Sequence, residues 1–70
     1  MRTNQPLKIA GRDLKVGDVV HFRTLRAWCK ITAIAPLPEH DMVIVTAVGN
    51  GGGAHVRDYI GNGDELHVYR

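Results

Sequence analysis

An all-β fold follows from three features of this sequence. Short stretches are rich in β-branched and aromatic residues that alternate with polar ones, as in "DVVHF" and "AHVRDYI". Glycine, proline and asparagine punctuate them at short intervals. No segment carries apolar residues at helical spacing over about ten residues. The expectation is five or six short strands with little or no helix, folded as a small barrel or sandwich.

The elements come in order. Residues 1–6 are polar and are expected to form a flexible lead-in to a single domain spanning 7–70. "LKIA" (Leu7 to Ala10) suits a first strand, broken at Gly11. Gly17-Asp18 is a turn signal, because glycine tolerates positive φ and aspartate bonds nearby backbone. "DVVHFRTL" follows as a strand, with Val20 and Phe22 on one face and His21 and Arg23 on the other. In "RAWCKITAIAPLPEHD", Cys29, Ile31 and Ala33 form one alternating set, and Trp28, Lys30 and Thr32 the other. Pro36 and Pro38 are expected to end that strand, since proline cannot donate to a ladder. "PEHD" reads as an exposed tip. "MVIVTAV" (Met42 to Val48) is nearly continuous in apolar residues, the pattern of a central strand buried on both sides. "GNGGG" (Gly49 to Gly53) is a hairpin tip, and "AHVRDYI" a further strand. "GNG" (Gly61 to Gly63) favours a tight turn of the primed types. "DELHVYR" closes the domain with Leu66 and Val68 on one face and His67 and Tyr69 on the other.

Composition narrows the setting. Seventy residues, 44% of them hydrophobic, make one small globular domain with a thin core. A single cysteine, Cys29, allows no intrachain disulfide, which suits a reducing compartment. Without that cross-link, a homodimer would add stability, and Met42 to Val48 would serve as its seam if that strand lay at an edge. No apolar run approaches the roughly 18 residues of a membrane span, and "MRTNQPLKIAG" lacks a signal-peptide core. The expectation is a cytoplasmic protein that avoids membranes. The net charge of +2 is mild: it permits a nucleic-acid partner without demanding one.

"DLKVGDVVHF" together with Trp28, "KITAIAPLP" and "MVIVT" resembles the SH3-like small barrels over most of the chain, from about Leu7 to Tyr69. There a Leu-x-x-Gly-Asp-x-Val segment forms a diverging turn into the second strand. Short single-barrel chains of this kind look similar to bacterial and phage accessory proteins. The same "D-L-x-x-G-D" occurs in self-splicing domains, but those need a Cys or Ser nucleophile, a Thr-x-x-His block and a His-Asn pair. This chain opens Met1-Arg2, ends "HVYR" and has about half the length, so that reading is rejected.

The chemistry-bearing residues point away from catalysis. Cys29 shares a face with Ile31, where a thiol packs as a small hydrophobe, while His21 points outward with Arg23. His21, His40, His55 and His67 lack zinc-ligand spacing. "GNGGG" lacks the Lys-Ser/Thr of a phosphate-binding loop. The seven carboxylates fall mostly in turns. No catalytic set, cofactor or metal site is expected. The remaining feature is a basic and aromatic outer face: His21, Arg23, Arg26, Trp28, Lys30, His55, Arg57, His67 and Tyr69, with Thr32 beside them. Cations interleaved with aromatics suit a protein partner or, alternatively, a nucleic acid. The expectation is a non-enzymatic binding module, with a protein partner ahead of nucleic acid.

Overall fold

The computed structural model describes residues 5–22, 26–49, 53 and 55–70. They form six strands: β1 (Leu7–Ala10), β2 (Val19–Phe22), β3 (Ala27–Leu37), β4 (Met42–Gly49), β5 (His55–Gly61) and β6 (Glu65–Tyr69). Two single 3-10 turns, Gly11–Asp13 and Pro38–His40, are the helical residues among those described. All pairings are antiparallel, in the order β1-β6-β2-β3-β4-β5. The order leaves β1 and β5 as edges, so the sheet is open rather than closed as a barrel. Arg23, residues 1–4 of the expected lead-in and the Asn50–Gly52 tip lie outside the described residues.

Period-two alternation builds the core. Val20 and Phe22 of β2, Cys29 and Ile31 of β3, Val43, Val45 and Ala47 of β4, Ile60 of β5 and Val68 of β6 are buried together. Leu14, from the segment after the first 3-10 turn, joins them. With no helix to cover it, the sheet buries this face by coiling on itself and laying the Gly11–Leu14 segment across it.

Four expectations are corrected. β3 does not end at Pro36: it runs to Leu37, with Pro36 paired opposite Val43. β2 pairs with β3 only as far as Lys30, so Pro36 stands where one side of β3 is an edge, a position proline tolerates. Alternation along β3 also breaks. A bulge between Ile31 and Ala33 inserts one residue, which turns Ala33 outward and brings Ile34 against the core. Thr32, at the bulge, donates its hydroxyl to the Thr46 carbonyl at 3.2 Å. β4 lies between β3 and β5 with its core face alone fully buried, so it is neither buried on both sides nor a free edge for a dimer seam. Finally, the Asn62-Gly63 turn has no positive φ and does not make a hairpin, because β6 takes β1 and β2 as partners and diverges from β5. There the Asp64 carboxylate accepts the Gly61 N–H at 3.1 Å.

Two local contacts hold the coil. Gly11 donates its N–H to the Asp64 carbonyl at 2.7 Å, and Arg12 donates to that of Asn62 at 3.2 Å. This seats the 3-10 turn on the β5–β6 connection. The second contact is the carboxylate of Asp18, 3% exposed and the one buried charged residue among those described. It accepts the Lys15 N–H at 3.0 Å and the Arg70 Nε at 3.0 Å, while Arg70 Nη2 reaches the Asp13 carbonyl at 3.0 Å.

Both contacts are open to test. A Cβ on Gly11 would collide with the Gly61 carbonyl oxygen, which is backbone and cannot step aside. Gly11→Ala is expected to cost about 2 kcal/mol or more in urea denaturation. Gly63→Ala, with open space around it, is expected to stay within about 1 kcal/mol of the parent. Arg70→Gln leaves the Asp18 carboxylate without its cation. Arg70 is partly exposed, so the expected loss is about 1–2 kcal/mol, read in the same titration.

Candidate functional site

The outward face of β6, β2 and β3 gathers most of the aromatic and basic residues expected there. His21 of β2 sits directly opposite Trp28 of β3, and Val19 lies between Tyr69 of β6 and Lys30 of β3. Tyr69, beside Val19, and Trp28, diagonal to it, reach each other across this short side chain. The Trp28 ring meets His21 edge-on, with centroids 5.1 Å apart, and Tyr69 at a tilt, with centroids 4.9 Å apart. All three rings are half-buried, and Trp28 is outside the buried core cluster. Such contacts hold rings in fixed orientations and add roughly 0.5–1.5 kcal/mol beyond area burial.

Beside the rings is a shallow recess lined by Pro6, His21, Trp28 and His67. Lys8 of β1 pairs opposite His67 and brings a cation to its margin, as Lys30 does on the β3 side. Lys8 and Pro6 carry no aromatic or charge-cluster signal of their own. Only the β1–β6 register, Lys8 opposite His67, reveals that they belong to this surface.

The remaining expected residues sit elsewhere. His55 and Arg57 are exposed on β5, beyond β4 from the aromatic cluster, opposite Val48 and Thr46. Arg26 lies in the turn before β3 with φ 51°, so it flanks the face instead of standing on a strand. Further along the sheet, toward the Met42 end of β4 and past Thr46 and Arg57, the outward surface is apolar: Ile44 pairs with both Ala35 and Tyr59, and Tyr59 is 55% exposed. The sequence hid this strip, because "MVIVTAV" gives no sign of which apolar residues point out.

Cys29 is buried at 2% exposure and is a core residue. Among the described residues, no group of three or more His, Cys, Asp or Glu side chains converges as a metal site. No described helix is long and apolar enough to cross a membrane. The chain matches no protein-family model, no curated protein and no solved structure.

The location of Trp28 outside the core sets a stability difference. Trp28→Ala is expected to leave a folded domain and to cost about 1–2 kcal/mol. Phe22→Ala, at the centre of the core, is expected to cost about 3–5 kcal/mol. Thermal melts followed by circular dichroism, paired with urea titrations, compare the two.

Proposed function

We propose that this protein is a non-catalytic binding module on an SH3-like scaffold left open between β1 and β5, and that it engages a protein partner through the outward face of β6, β2 and β3. The observation that carries this reading is the cluster of His21, Trp28 and Tyr69, three rings from three strands locked together on the solvent side of the sheet. Aromatic residues held rigidly at a surface lose little entropy when covered, which is why they dominate protein interfaces. The rings lean on one another at 62° and 49°, and do not stand apart as parallel platforms for successive bases. The apolar strip through half-buried Ile44 and exposed Tyr59 lies further along the outward side of the sheet and suits a protein surface better than a phosphate backbone.

Nucleic acid is the second reading, supported by Lys8 and Lys30 at the margins of the cluster. The two readings separate in one pair of assays. Immobilised protein, with Trp28→Ala and Lys30→Ala variants alongside, is used to capture partners. Labelled oligonucleotides are titrated from low to high salt. The expected outcome is a captured protein that Trp28→Ala weakens by about 2 kcal/mol or more and Lys30→Ala only slightly. Oligonucleotide binding that falls with salt, at a log–log slope of about −0.7 per phosphate contacted, would replace the protein reading with the nucleic-acid one.

A further inference from the structure

A second surface lies where β5 and β6 splay apart. β6 joins β2 only through Tyr69 and Val68, and among the described residues the far edge of β5 pairs with no strand. The two strands leave the Gly61–Asp64 turn and diverge, opening a slot between the edge of β5 and the ends of β6 and β2. Its walls carry Phe22, Ile60 and Leu66 from the core side, and three carboxylates, Asp58, Asp64 and Glu65. Among the described residues no lysine or arginine lines it, its other polar members being His21 and His67, although the chain as a whole is net positive.

Asp58 stands out within this slot. By register it is opposite Val45, which is fully buried, so it occupies the inward row of β5 between Val56 and Ile60. A carboxylate there interrupts an otherwise apolar row at the point where the row reaches the opening. One of its oxygens accepts the Tyr59 N–H at 2.9 Å. Desolvating a charge at a half-buried position is costly, and a cation arriving from outside would offset that cost.

We propose that this slot takes an extended segment of a partner protein, added as a strand along the free edge of β5, with basic side chains alternating with apolar ones. The backbone of β5 supplies ladder hydrogen bonds. Strand alternation then sends the basic row into the slot, toward Asp58 and Glu65, and leaves the apolar row outward beside Tyr59. The local negative charge in a positive protein steers a cationic segment to this edge and rejects an acidic one. This surface lies on the seam of the sheet and shares His21 and His67 with the rim of the outward aromatic face, so the two are told apart by Asp58 and Glu65 on one side and Trp28 on the other.

The test uses the intact protein and a short fluorescent peptide alternating lysine and valine. Controls are its glutamate-for-lysine counterpart and two versions N-methylated at alternate residues, one on each set, of which the one methylated on the set facing β5 cannot complete a ladder. The lysine peptide is expected to bind saturably, to slow amide exchange along β5, and to lose about tenfold in affinity in Asp58→Asn and in Glu65→Gln. Glu39→Gln makes the same charge change at an exposed site in the second 3-10 turn and is expected to bind as the parent does. One of the two N-methylated peptides is expected to bind at least tenfold more weakly than the lysine peptide, and equal binding of both would exclude a ladder. Circular dichroism confirms that each variant is folded. Should Asp58→Asn prove unfolded, Glu65→Gln and the N-methylated peptides still decide. Absence of binding, equal binding of the glutamate peptide, or exchange protection falling on β2 and β3 instead of β5 would overturn the proposal.

Discussion

The buried carboxylate of Asp18 is the point on which the fold depends. It lies at the entry to β2, accepts the Lys15 N–H on one oxygen and meets Arg70, just past β6, on the other. Through Arg70 it also reaches the Asp13 carbonyl. The backbone of the same turn continues the connection: Ile31 donates to the Asp18 carbonyl at 2.8 Å, and Gly17 donates to that of Ile31 at 2.9 Å. Segments from near the start and the end of the chain thus meet at this side chain, and the middle of the chain meets the backbone of the same turn. A small sheet with no disulfide and no covering helix has few other ways to fix its coil. Gly17, at φ 98°, lets the chain turn there so that the carboxylate points inward.

This node explains why the outward face and the seam remain free. Asp18 secures β2, β3 and the end of β6 at one end of the sheet, and the Gly11 contact seats the first 3-10 turn on the β5–β6 connection. Between these two attachments β2 and β6 join through only two residue pairs and then separate. The result is an open sheet whose concave side is filled by its own core residues. Its convex side presents rings from three strands, and its seam exposes the edge of β5. Free edges invite strand addition from other chains, and charged residues at or near the edge restrict which chains can add. Asp58 on the inward row and Glu65 across the slot are placed to make that selection by charge.

Much of the strand pattern was legible in the sequence because burial on one face imposes a period of two. Val20 with Phe22, Cys29 with Ile31, and Val68 of the last strand all follow it. The "GD" signal at Gly17-Asp18 marked a turn, yet nothing local showed that its carboxylate would be buried against a residue 52 positions away. Long-range ion pairs leave no periodic trace. The bulge between Ile31 and Ala33 was equally silent, since an inserted residue looks like any other until the partner strand is known. The same limit applies to Asn62-Gly63. Its residues suit a hairpin, but the pairing of β6 with β1 and β2 overrides the local preference. Of the outer face, His21, Trp28, Lys30, His67 and Tyr69 were readable from alternation. Lys8, Pro6 and the Ile44–Tyr59 strip became apparent only with the strand order.

The most direct measurement is native-state amide hydrogen exchange, resolved by residue, on the unliganded protein. An open sheet held at Asp18 predicts slow exchange at Gly17 and Ile31, matching the β3–β4 ladder. It predicts alternation along β5, with slow amides facing β4 and fast ones facing the unpaired edge. Uniformly protected β5 amides would show that another strand covers this edge and closes the sheet. Fast exchange at Ile31 would show that the Asp18 turn does not hold the fold together.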